Sequence, residues 1–280
     1  MLVSNLIKET RKFLSVFRIE DKSIGLVPTM GALHEGHLSL IDTSQRNNDI
    51  TVISIFVNPT QFNDKKDFAK YPRDLDNDLE LIRIKGCDLV FTPTEEEIYP
   101  EKDYRIFNFG TLDKYMEGKF RPGHFNGVAQ IVSRLFDIIE PDKAYFGEKD
   151  FQQLVIIKNL VQQLKLPVEI VSCPIIRESD GLAMSSRNRL LTAEQRKSAS
   201  KIPAILLEAK KIGRKMEIQE LKEFVISHIN MDPNLRTEYF ELVLESDLIP
   251  LKKWPKNTSV RACIAVKTGT IRLIDNIKFS

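Results

Sequence analysis

The sequence lacks several features that would define a specialised class of protein. It has only three cysteines, at positions 87, 173 and 263, and they form no CxxC pair. This spacing predicts buried thiols in a reducing compartment rather than a disulfide framework. Neither sign of charge is in excess, because 41 Lys and Arg residues against 39 Asp and Glu residues give a formal net charge of +2. The strongly basic balance typical of nucleic-acid or membrane-surface binding is therefore missing.

Long apolar runs and common nucleotide-binding motifs are also missing. The longest apolar runs, such as residues 52–57, cover about a third of a membrane span. The first residues lead into a charged amphipathic segment and not into the apolar core of a signal peptide. The patterns GxGxxG and GxxxxGK(S/T) do not occur, which argues against dinucleotide oxidoreductases and P-loop enzymes. We therefore expect a cytoplasmic globular protein with no nucleic-acid or membrane partner.

Strand and helix patterns alternate over the first part of the chain. Strands are predicted at residues 23–28, 49–57, 87–91, 144–146 and 168–172. Helices are predicted near the N-terminus and at residues 37–47, 74–85, 125–139 and 151–164. This alternation predicts an α/β domain with a Rossmann-like parallel sheet, which binds ligands at the carboxyl ends of its strands.

The pattern changes after Pro174. A capping box at residues 192–195 opens a helix that Gly213 could end, and a second helix is predicted at 217–229. Strands follow at 239–244, 260–266 and 270–274. We therefore predict two domains, a Rossmann-like domain of residues 1–176 and a smaller C-terminal α+β domain of residues 177–280.

Two of the four histidines, His34 and His37, lie three residues apart where the first predicted strand meets the following helix. The N-terminus of a helix favours an anion, and imidazoles can donate hydrogen bonds to phosphate. Gly31 and Gly36 would permit close approach of the backbone. An ordinary polar helix cap is the competing interpretation. A metal pair is less well supported, because no Asp, Glu or Cys ligands occur at a fitting spacing.

Three further segments carry candidate chemistry. At residues 147–150, Gly147 permits a tight turn, Lys149 could neutralise phosphate and Asp150 could accept hydrogen bonds from ribose, although a plain charged turn is also common. Residues 180–188 offer two hydroxyls and a guanidinium, which suit a loop that closes over phosphates; the alternative is a domain linker. The amides of residues 58–61 could orient a small polar ligand, or form only a turn.

Together these segments resemble the pantoate–β-alanine ligase (pantothenate synthetase) family of the HIGH-motif nucleotidyltransferase superfamily. The resemblance covers essentially the whole chain and is carried by residues 27–37, 56–62, 121–128, 146–153, 180–188 and 272–276. One departure is Ala129-Gln130-Ile131, where the family usually carries Thr-Val after an apolar residue. Another is Asn77, at a position where Asp is often found, which leaves a direct magnesium ligand open.

The resemblance implies ATP-dependent condensation of pantoate with β-alanine, which yields pantothenate, AMP and pyrophosphate through a pantoyl adenylate. It implies that the first domain binds nucleotide and pantoate and that the second closes over ATP. It makes His37 the proton donor to pyrophosphate, with His34 and Lys149 as further catalytic residues. Gln61, Gln153 and Asn58 match pantoate-site positions. The implied ATP-binding residues are Met30, Gly31, Ala32, Leu33, His34, Glu35, Gly36, His37, Gly147, Glu148, Lys149, Asp150, Ile176, Met184, Ser185, Ser186 and Arg187.

The resemblance also implies a homodimer and Mg²⁺ carried mainly by the phosphates rather than by protein ligands. Two alternatives remain open. A related nucleotidylyltransferase would share the histidine loop but would release pyrophosphate without needing an amine. A tRNA-associated module would need a basic surface and would bind with steep salt dependence.

Overall fold

The computed structural model describes residues 1–279, whose contacts divide into two compact units. The first unit comprises residues 1–109, 121–148 and 156–174, and the second comprises 110–120, 149–155 and the chain from Ile175 onward. The predicted domains 1–176 and 177–280 stay a prediction. The contacts also assign two earlier segments to the second unit, which no local sequence pattern indicated.

The first unit is built on a parallel sheet. Its strands are β1 (Leu2–Ser4), β2 (Ile24–Thr29), β3 (Ile50–Ile55), β4 (Leu89–Phe91), β5 (Lys143–Gly147) and β6 (Glu169–Cys173). Within residues 1–279 these six strands lie in the order β1-β4-β3-β2-β5-β6, and all pairs are parallel. β2 and β3 are mostly buried, as expected for strands covered on both faces. The predicted α/β architecture is confirmed.

Helices connect and cover these strands. They are α1 (Ile7–Ile19), α2 (Glu35–Asn47), α3 (Lys65–Lys70), α4 (Leu75–Lys85), α5 (Glu95–Ile98), α6 (Met116–Phe120), α7 (His124–Ile139), α8 (Phe151–Leu164), α9 (Ala193–Ala199), α10 (Lys201–Ile212) and α11 (Ile218–Asn230). α8 has the predicted bounds, and α4 ends as predicted at Gly86, whose φ of 76° is left-handed. Among residues 1–279, no helix is long and apolar enough to cross a membrane.

The second unit contains a three-stranded antiparallel sheet, as far as the described chain extends. Its strands are β7 (Arg236–Leu244), β8 (Val260–Thr268) and β9 (Ile271–Phe279), with β8 in the middle. One face packs on α10 and α11 through a core that includes Leu206, Leu221, Phe240 and Ile264. This confirms the predicted smaller α+β region.

The single helix predicted from the capping box to Gly213 is wrong. The capping box forms, since Thr192 Oγ1 accepts the Gln195 N–H at 3.2 Å and Gln195 Oε1 accepts the Thr192 N–H at 3.1 Å. However, α9 ends at Ala199 and α10 begins at Lys201. Pro203 explains the break, because it has no N–H to donate to the carbonyl of Ala199.

The opposite face of the C-terminal sheet is polar and packs against the earlier segments of the same unit. Glu117, 7 % exposed, accepts hydrogen bonds from Arg272 at 2.7 and 2.6 Å and from the Tyr239 hydroxyl at 2.7 Å. Gln152 binds the same segment, because its Nε2 donates to the carbonyls of Leu112 and Tyr115 at 2.7 and 3.0 Å. These bonds explain why the contacts assign residues 110–120 and 149–155 to this unit.

The three cysteines are buried and free, as predicted. Burial raises the pKa of the Cys87 and Cys263 thiols to about 12, and it also raises the pKa of Cys173. These thiols are therefore protonated near neutral pH and unreactive.

Candidate active site

The loop after β2 is held in shape by a carboxylate from α4. Gly31 and Ala32 both have positive φ, 79° and 50°. Asp78, 1 % exposed, accepts the N–H groups of Ala32 and Leu33 at 2.8 and 2.7 Å. A Cβ on Gly31 would lie 2.8 Å from the Asp78 carboxylate, so this position requires glycine. Gly31, which was predicted to permit close approach of the backbone, therefore lies in a loop of fixed shape.

The histidine pair lies at the N-terminus of α2. His34 is the N-cap, and its Nδ1 accepts the Gly36 N–H at 3.1 Å. The rings of His34 and His37 are tilted against each other with centroids 4.1 Å apart. His34 therefore caps α2, as in the competing interpretation, and the pair also lies where the helix dipole favours an anion.

The sheet topology gives this loop a particular place. β2 pairs with both β3 and β5, and the chain extends from it through β3 and β4 on one side and through β5 and β6 on the other. Parallel sheets bind ligands outside the carboxyl ends of their strands at such a switch in strand order. The loop of residues 30–37 follows β2 at this position, and Gly147 ends the neighbouring strand β5.

The turn after β3 is organised by Asn58, which is 1 % exposed. Its Oδ1 accepts from the hydroxyls of Thr60 and Tyr99 at 3.1 and 3.0 Å. Its Nδ2 donates to the carbonyl of Gly127 at 3.0 Å. Asn58 thus connects the turn to Tyr99 and Gly127, and it supports Gln61, whose Oε1 lies 3.4 Å from its Nδ2.

Helix α7 packs against the same turn. His124, 6 % exposed, has its Nδ1 2.8 Å from the Gln61 carbonyl. A Cβ on Gly127 would lie 2.4 Å from the Thr60 carbonyl oxygen, so glycine permits this close approach. The segment 121–128, which carries part of the family resemblance, therefore positions Gln61.

The structure brings two of the predicted segments of the first unit together. Gln61, 7 % exposed, directs its Nε2 to the Sδ of Met30 at 2.7 Å. Met30 begins the histidine loop, and Gln61 is the predicted pantoate ligand. The amide and the anion-favouring helix N-terminus thus belong to one continuous region of the first unit.

In the second unit, Lys149 has its Nζ 3.7 Å from the Asp150 carboxylate, and its side chain is 19 % exposed. Its carbonyl accepts a hydrogen bond from Asn276 at 3.0 Å. Gly147, in the first unit, does not have the positive φ that a glycine-specific turn would need, and a Cβ there would meet nothing within 4 Å. The turn after β5 therefore does not require glycine at position 147.

Within the segment of residues 177–188, residues 177–183 form a short hairpin. Arg177 and Ala183 form an isolated antiparallel bridge, and Gly181 supplies a φ of 86°. Arg196 donates to the carboxylates of Glu178 and Asp180 at 2.6 and 2.8 Å. Burial raises the pKa of Glu178, but the hydrogen bonds from Arg196 and Asn188 outweigh it and hold that pKa below its ordinary value of 4.5.

The hydroxyl-bearing part of this segment has a defined geometry as well. The Met184 N–H donates to the Ile176 carbonyl at 3.0 Å, and the Ser185 hydroxyl accepts the Arg187 N–H at 3.3 Å. Ser185 thereby caps a short 3-10 turn of residues Ser186–Leu190. The backbone of the candidate phosphate-binding residues 184–187 is thus held by these hydrogen bonds.

Sequence reasoning missed the supporting residues Asp78, His124 and Asn276. Asp78 had a signal, because it shares the helical face of Leu75, Leu79 and Ile82, where a carboxylate is unexpected without a partner. His124 and Asn276 had none beyond their presence in motif segments. Among the described residues, no group of three or more His, Cys, Asp or Glu side chains is arranged to hold a metal ion.

A Rossmann-like sheet with a histidine pair on a helix N-terminus at its switch point is typical of the HIGH-motif nucleotide-binding proteins. The sequence model of the family described as pantoate-beta-alanine ligase matches residues 2–278. The chain belongs to this family.

Individual relatives agree with this assignment. A pantothenate synthetase of Bacteroides fragilis (strain YCH46) is 51 % identical over 279 residues, covering 100 % of this chain and 99 % of the relative. The crystal structure of pantothenate synthetase from Thermus thermophilus has a TM-score of 0.92 at 40 % identity and 99 % coverage of both chains. A Francisella tularensis pantoate-beta-alanine ligase, complexed with beta-gamma ATP and beta-alanine, has a TM-score of 0.84 at 36 % identity, covering 99 % of this chain and 97 % of that one.

Proposed function

We propose that this enzyme condenses pantoate with β-alanine, consuming ATP and releasing AMP and pyrophosphate, as a step towards coenzyme A. The reaction proceeds through an enzyme-held pantoyl adenylate. Membership of the ligase family over residues 2–278 supports the assignment. The observation that carries the proposal is the contact of the Gln61 amide with the loop at the N-terminus of α2. This contact brings an amide, which suits a hydroxy acid, next to a helix N-terminus that favours an anion.

Adenylation requires a carboxylate to attack the α-phosphate of ATP against like-charge repulsion. Such a step needs cations and preorganised donors near the phosphates. We assign these roles to His34, His37 and Lys149, together with the hydroxyls and guanidinium of residues 185–187. His37 donates the proton to the departing pyrophosphate.

The nucleotide itself binds along the predicted segments, namely residues 30–37, 147–150, 176 and 184–187. Magnesium enters with ATP on its phosphate oxygens, because Mg²⁺ keeps several of its waters and is commonly held through substrate phosphates. The C-terminal domain closes over the nucleotide in this proposal.

Pantoate takes its polar contacts from Gln61 and Gln153. A neutral amide can donate and accept at once, which suits a hydroxy acid that carries both hydroxyls and a carboxylate. Gln61 also lies near β-alanine, and Asn58 supports the turn that carries it.

An isotope experiment tests the reaction sequence. With ¹⁸O in the pantoate carboxylate, we expect label in AMP, because the carboxylate oxygen bridges to the α-phosphate in an acyl adenylate. Pantothenate should appear only after β-alanine is added. Label in inorganic phosphate together with ADP would contradict the adenylate, and nucleotidyl transfer that needs no amine would support the nucleotidylyltransferase alternative.

Substitution of the two glutamines tests the pantoate site. Gln61→Leu and Gln153→Leu should each leave a polar group of bound pantoate unpaired, which costs about 1–3 kcal/mol. Steady-state kinetics should show this loss in kcat/KM for pantoate, with the KM for ATP nearly unchanged.

The neighbouring Gln152 provides the matched control. It is 4 % exposed and binds the carbonyls of Leu112 and Tyr115, so Gln152→Leu should lower the melting temperature instead. Equal losses for pantoate and ATP in Gln61→Leu or Gln153→Leu would show that these residues do not select pantoate.

The working form of the enzyme is proposed to be a cytoplasmic homodimer. Large apolar side chains on its surface support an interface, since Tyr104 is 76 % exposed and Ile106 is 88 % exposed. Sedimentation velocity distinguishes a dimer from the 32.2 kDa chain alone.

A further inference from the structure

Segment 272–276 of β9 carries part of the family resemblance, yet the proposed function gives it no task. Asn276 lies in this segment and is 2 % exposed. Side chains alternate along a strand, and Leu273 and Phe279 of β9 join the core under α10 and α11. Asn276 therefore lies on the other face of the sheet, against residues 149–155 of the same unit.

The side-chain amide of Asn276 bridges two groups. Its Nδ2 donates to the carbonyl of Lys149 at 3.0 Å, and its Oδ1 accepts from Nη1 of Arg261 at 2.9 Å. Because a guanidinium can only donate, the bond from Arg261 fixes which end of the amide is the acceptor. The Nδ2 end is thereby directed to Lys149.

Arg261 is itself held firmly. It is 5 % exposed, and its Nε and Nη2 lie 2.8 and 2.7 Å from Oε1 of Glu245. Its guanidinium carbon lies 4.0 Å from the ring centroid of Phe151. Glu245 thus holds Arg261, and Arg261 holds Asn276, which binds the backbone of Lys149. Arg261 also contacts Phe151 directly.

We propose that Asn276 is a positioning residue for Lys149. It fixes the backbone of Lys149, so that the ammonium group of this lysine is held where the triphosphate binds. This inference rests on the role of Lys149 in the proposed function. A side chain that leaves a fixed peptide loses less freedom on meeting its ligand, and small displacements of reacting groups cost large factors in rate.

The first experiment compares three variants in single-turnover adenylation. Asn276→Ala removes both bonds, whereas Asn276→Asp keeps an acceptor for Arg261 and loses the donor to Lys149. We expect both to slow adenylate formation by about 10- to 100-fold. The KM for pantoate should stay within about twofold. Cys263→Ala is the matched control, because Cys263 is the register partner of Asn276 on β8 and is also buried; this variant should form the adenylate at the wild-type rate.

A double-mutant cycle separates positioning from general support. If Asn276 acts through the lysine, Asn276→Ala should change the rate less than about threefold in a Lys149→Ala background. Thermal melts on the same samples identify variants that have lost the fold, and Asn276→Asp then serves in place of Asn276→Ala.

The outcomes distinguish this inference from the function on which it rests. A wild-type protein that makes no pantothenate contradicts the proposed function. An active wild type with a slow Lys149→Ala variant and Asn276 variants at the wild-type rate overturns the positioning role alone. Additive effects of Asn276→Ala and Lys149→Ala also overturn it.

Discussion

Lys149→Ala and His37→Ala are each expected to slow formation of the pantoyl adenylate by about 10²- to 10³-fold, or about 3–4 kcal/mol. In the chain His37 follows β2 and Lys149 follows β5, and the proposed function assigns both to the charge that develops on the phosphates. The measurement is single-turnover adenylation, with thermal melts on the same samples.

Matched controls are available on the same chain. Lys158 lies on α8 with its Nζ 2.9 Å from the Ser172 hydroxyl, and His228 lies near the end of α11. Neither Lys158→Ala nor His228→Ala should affect adenylation. If residues 37 and 149 formed only an ordinary polar cap and turn, their substitution by alanine would instead cost about 1 kcal/mol of stability and little activity. Near-normal adenylation by either site variant would remove that residue from the mechanism.

Local patterns predicted most of the secondary structure. The apolar residues of α8 repeat within that helix, and Asp74 and Gly86 directly flank α4, so the local sequence carries both signals. β1 was missed because its three residues are too few to show a period, and because, within residues 1–279, it pairs only with β4, over eighty residues away. The break before α10 was missed because the capping box suggested one continuous helix, although Pro203 marked the place.

The residues of the candidate site likewise fall into those that the sequence could predict and those that it could not. His34, His37, Lys149 and Gln61 carry chemistry in their own side chains and could be proposed directly. Their supports could not, because each acts over a long separation in the chain. Asp78 binds backbone groups 45 and 46 residues away, and Asn276 binds a carbonyl 127 residues away.

The largest stability effect is expected at Arg272, which joins two carboxylates on the polar face of the C-terminal sheet. Its guanidinium lies 2.6 Å from Glu117 and 2.7 Å from Glu238, whose side chains are 10 % and 11 % exposed. Burial lowers the pKa of Arg272, but the hydrogen bonds and charge of Glu117 more than offset this and raise it above its ordinary value. The arginine therefore carries its charge at neutral pH.

Arg272→Met should lower the free energy of unfolding of the second unit by about 3–5 kcal/mol, because it leaves buried carboxylates without their counter-charge. Urea titration followed by fluorescence measures this, since the single tryptophan, Trp254, packs on Phe279 within this unit. Lys267→Met is the control. Lys267 also lies 2.7 Å from Glu238, but its side chain is 50 % exposed, so its loss should cost no more than about 1 kcal/mol. Equal losses in the two variants would show that the ion pair of Arg272 with Glu117 does not hold residues 110–120 to the sheet.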